Sequence, residues 1–276
     1  MFTLYTLSTL YTLYTLRYIA VHKPNRLTFP IEIVIRDKHI PLHAITEVLA
    51  FFIGFRYFIY LRKQQGDAIE QANRIWIIIG AIFGAVIGSR LFAGLENPAA
   101  LLQAENKLLY FYLNKTVVGG FLGGLFGVEL AKLMIGEKQA SGDLFVYPMI
   151  LALIIGRIGC FSMGIHEETY GTPTALPWGM DLGDGIKRHP VSLYEIVFLV
   201  LLWIGLVRLE KKYPLQNGAR FKLFMISYLV FRFLLDFIKP HYFFNIPFST
   251  IQLTCLLGLV YYYRYILQPK KLLITT

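Results

Sequence analysis

The chain has 276 residues, of which 56% are hydrophobic and 16% charged, against about 25% charged in an ordinary soluble domain. That balance excludes a water-soluble globular domain and points to an integral membrane protein. The formal net charge of +10 comes without a basic run interleaved with a nucleic-acid-binding motif. Nucleic acid is therefore not an expected partner, and basic loops facing anionic lipid headgroups account for the charge.

Residues 1–18 repeat a Thr-Leu-Tyr triplet. They have no basic n-region and no small-residue cleavage site, so they do not read as a signal peptide. They read as a start placed too early or a frayed tail, and residues 1–40 are set apart as a low-complexity N-terminal segment. Within it, residues 27–39 alternate weakly, as a short strand or an amphipathic surface segment would. Seven apolar spans follow near residues 42–61, 75–95, 116–135, 145–164, 190–208, 221–238 and 250–267. Each has the length a helix needs to cross a hydrocarbon core of about 30 Å, and only a helix satisfies its own backbone there. The expected fold is an all-α membrane protein: one domain over residues 41–268 with seven transmembrane helices, then a tail at 269–276.

The loops alternate in charge. Arg62, Lys63 and Arg74, then Lys132 and Lys138, then Arg208, Lys211, Lys212, Arg220 and Lys222, and finally Arg264, Lys270 and Lys271 fall on one side. The other side carries Lys107, Lys115, Lys187, Arg188 and Lys239. The positive-inside rule then puts the N-terminus outside and the C-terminus and tail in the cytoplasm. The long loop at 165–189, with Pro173, Pro177 and Trp178, becomes a compact outer-face head between spans 4 and 5.

Four arginines, Arg56, Arg90, Arg157 and Arg232, and four acids, Glu47, Glu129, Glu195 and Asp236, fall in or beside the spans. A charge at the bilayer centre costs at least about 2.5–3.5 kcal/mol, so each must pair or face a polar cavity. One reading is a set of internal ion pairs, with Arg232 and Asp236 four apart on one helix face. Arg56 is close enough to the membrane edge to snorkel, and Arg90 fits either reading. Arg157 and Arg232 fit function better, because two planar guanidinium forks facing one cavity suit the phosphate of an anionic lipid. The small-xxx-small patterns at Gly80–Gly88 and Gly119–Gly127 read chiefly as close helix packing. Cys160 and Cys255 give neither a disulfide framework nor zinc spacing. No metal and no cofactor is expected, and Cys160 reads as a packing residue that should tolerate serine.

Several segments together resemble the bacterial prolipoprotein diacylglyceryl transferase family. Gly156-Arg157-Ile158-Gly159-Cys160-Phe161 is similar to the family's G-R-x-G-N-F signature. Arg188-His189-Pro190 with Leu193-Tyr194-Glu195 is similar to its R-H-P-x-x-L-Y-E. Leu176–Met180, then Phe231-Arg232 with Asp236, Lys239 and Pro240, and Gln252 at the start of the last span follow in the family's order. The resemblance implies a fold of this kind in a bacterial inner membrane. It implies transfer of the diacylglyceryl group of phosphatidylglycerol to the thiol of a lipobox cysteine in preprolipoprotein signal peptides, with glycerol-1-phosphate leaving. It makes Arg157, Arg232, Glu195 and His189 candidate catalytic residues, and Arg188, Gly119, Gly120, Gln252, Tyr194 and Lys239 candidate substrate-binding residues. The chain departs from the family pattern at the third-span histidine, where Val118 or, on a shifted alignment, Leu122 stands. It departs also at the signature asparagine, which is Cys160, and at a first-span tyrosine, which aligns with Glu47. A relocated base at His166, His189 or Glu167 would preserve the reaction. The alternative is an acceptor-switched or non-catalytic paralogue that binds anionic phospholipid.

Overall fold

The computed structural model describes residues 28–240 and 248–274. The Thr-Leu-Tyr repeat, His241 and the last two residues lie outside the described residues. The alternating segment forms a hairpin of β1 (Glu32–Ile35) and β2 (Lys38–Pro41), paired antiparallel with Ile33 opposite Ile40. Arg36 and Asp37 turn it with positive φ. Ile31 donates its N–H to Ser162 O at 2.8 Å, which ties the hairpin to a later helix end.

The helices are α1 (Leu42–Gln65), α2 (Gln71–Gly94), α3 (Pro98–Gln103), α4 (Lys107–Leu113), α5 (Val117–Ile135), α6 (Val146–Met163), α7 (Val191–Lys212), α8 (Ala219–Leu235), α9 (Thr250–Tyr261) and α10 (Tyr263–Leu267). All seven apolar spans are helical where the sequence puts them. Five of them, α1, α2, α5, α6 with its leading and trailing 3₁₀ turns, and α7, are long and apolar enough to cross a membrane. The sixth and seventh are shorter. Helix α8 has 17 residues with Arg220, Lys222 and Arg232 within it, and α9 has 12 before the chain breaks at Tyr262. Two helices have no counterpart among the expected spans: α3 and α4, each opened by an asparagine side chain, Asn97 and Asn106, that accepts from the backbone three residues on.

Helices α2 and α5 lie backbone to backbone. A Cβ on Gly84 would fall 2.2 Å from Gly123 O, one on Gly88 2.4 Å from Gly119 O, and one on Gly80 2.5 Å from Gly127 O. Only glycine allows that approach, and in lipid, where apolar burial gives no drive, such contact is what holds helices together. The core proper lies between α5, α6, α7 and α8, where Val118, Ile150, Leu199, Phe224, Tyr228 and Leu229 are fully buried.

At the basic end, Asp67 binds both Arg62, at 2.9 Å, and Arg74, which also donates to Ser141 O at 2.8 Å. Burial pushes the Asp67 carboxyl up, but hydrogen bonds from Arg74 and the Ile69 N–H outweigh it and leave it below its ordinary value. Asp143 accepts from Gly218 N at 2.6 Å and Phe221 N at 2.9 Å, fixing the start of α8 against the start of α6. At the other end the loop after α6 folds back. Its two-residue strands β3 (Met180–Asp181) and β4 (Lys187–Arg188) pair, Ile165 N donates to Leu182 O at 3.1 Å, and Thr172 N donates to Ile238 O at 2.8 Å.

Replacing Gly84 by alanine should lower the stability of the detergent-solubilised protein by about 1–3 kcal/mol through overpacking. The same change at Gly205, where a Cβ meets nothing within 4 Å, should be neutral or stabilising. Thermal unfolding of the two variants side by side checks both.

Candidate active site

Three helices meet at one carboxylate. Glu195, in the second turn of α7, is 1% exposed, and its Oε2 lies 2.9 Å from Arg157 Nε of α6 and 3.5 Å from Arg232 Nη1 of α8. Its Oε1 accepts a 2.7 Å hydrogen bond from Tyr228 OH, one turn before Arg232. Phe121 of α5 packs edge-on against the Tyr228 ring. Pro190 starts α7 so that Glu195 faces inward. Two guanidinium groups share one carboxylate, so the cluster carries an excess positive charge. The Nε atoms of Arg157 and Arg232 are buried without an aligned hydrogen bond among the described residues. Arg157 also donates from Nη1 to Cys160 Sγ at 3.5 Å.

The cluster sits at one end of a cavity of about 1580 Å³ that Arg157, Glu195 and Arg232 line. The wall opposite is smooth: Ala81, Ala85 and Ser89 of α2 against Gly120 and Gly124 of α5. Phe51 of α1 and Ile82 and Val86 of α2 also line the cavity, and these apolar side chains are exposed on the outside of the bundle. Glu96 and Lys239 line it near Arg232. Burial raises the Glu96 carboxyl, and burial with repulsion from Arg232 pulls Lys239 below the ordinary ammonium range.

Of the ten candidate residues, the structure brings Arg157, Glu195, Arg232, Gly120 and Lys239 to this cavity. Gly119 packs against Gly88. Arg188 pairs with Asp184 at 2.6 Å, and its hydrogen bond outweighs burial and holds the Asp184 carboxyl low. His189 Nδ1 lies 3.1 Å from Tyr194 OH, which also accepts from Trp178 Nε1 at 2.9 Å. Gln252 closes a capping box with Ser249 at the start of α9. Asp236 binds Ser249 across the helix junction, so the i,i+4 pairing of Arg232 with Asp236 is replaced by Arg232 with Glu195. Glu47 pairs with Lys115 at 2.6 Å, and Arg90 lies over the Tyr112 ring.

One residue that matters here is absent from the sequence reading. His43, at the start of α1, approaches Glu167 with Nδ1 at 3.3 Å from Oε2, beside Cys160. Gly159 makes room for it: a Cβ there would fall 2.0 Å from Thr46 Oγ1 and 3.2 Å from His43 Nδ1. The available signal was a histidine in the first turn of the first span, next to the glycine of the arginine signature.

Fold and site together define a multi-pass membrane protein with two arginines and one glutamate clustered at the end of a large cavity. Residues 30–267 match the family model described as prolipoprotein diacylglyceryl transferase, and the chain belongs to that family. Proteins named phosphatidylglycerol–prolipoprotein diacylglyceryl transferase are similar to it. One from Bordetella parapertussis is 35% identical over 174 residues, covering 59% of this chain and 63% of the relative. One from Nitrosomonas europaea is 32% identical over 69% of this chain and 71% of the relative. One from Idiomarina loihiensis is 31% identical over 71% and 74%. The chain thus spans less than two thirds of the length of the Bordetella relative it matches.

Glu195→Ala strands two buried guanidinium groups and should destabilise the protein by about 3–5 kcal/mol. Tyr228→Phe removes one hydrogen bond and should cost only about 1 kcal/mol. Denaturation in detergent should rank the two in that order.

Proposed function

We propose that the chain transfers the diacylglyceryl group of phosphatidylglycerol to the thiol of a lipobox cysteine in preprolipoproteins, releasing glycerol-1-phosphate. The observation that carries this reading is the pair of arginines on one shared carboxylate, with charge and donors to spare, at the head of a cavity large enough for lipid chains. Arg157 and Arg232 bind the phosphodiester and hold the charge that develops on the departing phosphate. Preorganised cations of this kind lower a barrier because they do not reorganise during the reaction. Glu195 keeps both forks aimed and is not the base. Lys239 adds a cation on the same side. The smooth α2–α5 wall receives the acyl chains.

The reading includes the finer topology. Helices α8 and α9 complete seven crossings, the hairpin and the loop after α6 form an outer-face head, and the chain sits in the bacterial inner membrane with its C-terminus in the cytoplasm. The basic residues at the opposite end, among them Arg62, Lys138, Lys211 and Lys270, support that orientation. Arg188, His189, Tyr194 and Gln252 serve by holding the mouth and the α9 start in place. A second reading, an acceptor-switched or non-catalytic phospholipid-binding paralogue, draws on one observation: Val118, at the place of the family's histidine, is wholly buried in the core.

A transfer assay in membranes, with labelled phosphatidylglycerol and a cysteine-containing lipobox peptide, separates the two. Arg157→Lys and Arg232→Lys keep the charge and lose the planar fork, and each should reduce kcat/KM by about 100–1000-fold with the fold intact. Wild-type turnover in either variant would refute the phosphate role. Absence of transfer in the wild-type protein with lipid still bound would favour the paralogue.

A further inference from the structure

His43, Cys160 and Glu167 each turn one ligating atom toward a common point, and the three atoms lie within 4.8 Å of one another. His43 Nδ1 is 3.3 Å from Glu167 Oε2, and Cys160 Sγ is 3.9 Å from Glu167 Oε1. A tetrahedral zinc with bonds of about 2.0–2.3 Å needs ligand–ligand edges of roughly 3.3–3.8 Å. The second observation concerns atoms without partners. His43 Nδ1 and Glu167 Oε2 are both buried without an aligned hydrogen bond among the described residues. Two buried polar atoms left so, 3.3 Å apart and beside a thiol, fit a cation held between them.

We propose that His43, Cys160 and Glu167 hold a zinc-class divalent cation whose open fourth position takes the acceptor thiol as a thiolate. The cation site stands on the geometry alone, whereas its role in activating a thiol rests on the transferase reading above. Three protein ligands and one free position are the pattern of catalytic rather than structural zinc. All three residues line the cavity that Arg157 lines, so the cation and the arginines would act on one space. On coordination the acceptor S–H releases its proton to water. The sulfur lone pair then forms the C–S bond at the glyceryl carbon that carries the phosphate. The C–O bond breaks, and its electron pair leaves on the glycerol phosphate between the two arginines. Nothing is oxidised or reduced. A metal-bound thiol needs no separate base, which accounts for Val118 at the place of the family's histidine. It also revises the expectation that Cys160 merely packs and tolerates serine.

The purified full-length protein, stripped with a chelator and titrated with Co²⁺, tests the site. The expected result is a thiolate-to-cobalt charge-transfer band saturating at about one equivalent, displaced by Zn²⁺. Cys160→Ser should abolish the band, and His43→Ala should abolish binding, while thermal unfolding shows both variants folded. Arg157→Lys should keep the band and lose transfer. No band in the wild-type protein, or unchanged zinc binding in Cys160→Ser, would overturn the site. In the transfer assay, stripping should reduce activity at least about 100-fold and zinc should restore it. Full transfer by metal-free protein would overturn the thiol-activating role. A wild-type band without transfer to the lipobox peptide in any metal state would instead overturn the transferase reading and with it that role, leaving the cation site standing.

Discussion

One buried carboxylate organises the molecule. Glu195 stands where α6, α7 and α8 converge, and it is the common partner of Arg157, Arg232 and Tyr228. A buried ion is expensive in any low-dielectric medium, and two arginines without their acid would push the helices apart or draw water in. The three helices can therefore approach only in the arrangement that places all three charges together. The same arrangement leaves the site cationic. Packing constraint and surplus positive charge come from one set of atoms, so neither can be altered alone.

The rest of the bundle holds that set at the mouth of a cavity. Helices α2 and α5, locked through glycine carbonyl contacts, form a rigid two-helix wall. Helix α5 reaches the core through Val118, while its Gly120 and Gly124, beside Ala81, Ala85 and Ser89 of α2, line the cavity. The hairpin bound to Ser162 O and the loop bound to Ile238 O pin the far ends of α6 and α8. The two arginines thus have fixed axial heights relative to each other. Under the zinc proposal the same pinning sets His43, carried on α1 directly after the hairpin, against Cys160 and Glu167.

Much of this was legible in the sequence, for physical reasons. Apolar length marks helices in a membrane chain, and all seven stretches are helical within a few residues of their expected limits. Arginines in an apolar run advertise a partner, and Arg157, Arg232 and Glu195 do meet. What stayed hidden depended on relations between helices. Spacing showed that Arg232 and Asp236 share a face, but not that Ser249 would take the aspartate and Glu195 the arginine. The short helices α3 and α4 fell below the periodicity that a membrane span displays, and only their asparagine caps announced them. His43 carries no signal in the chain pattern that by itself sets it apart. Its proximity to Cys160 is made by Gly159, whose missing side chain matters only once α1 lies against α6. Similarly, Arg188, His189 and Tyr194 form a plausible cluster along the chain, yet their bonds run to Asp184, to each other and to Trp178 rather than into the cavity.

The apolar side chains of Phe51, Ile82 and Val86, exposed and lining the cavity at once, have a kinetic meaning under the proposed function. A lipid that reached Arg157 past them would never leave the bilayer, so its encounter with the site would be a two-dimensional search. The saturating variable would then be the mole fraction of the lipid in the surface, not its amount per volume of suspension. Diluting the bilayer with an inert lipid at constant total concentration would slow the proposed transfer, whereas adding more vesicles of the same composition would not speed it.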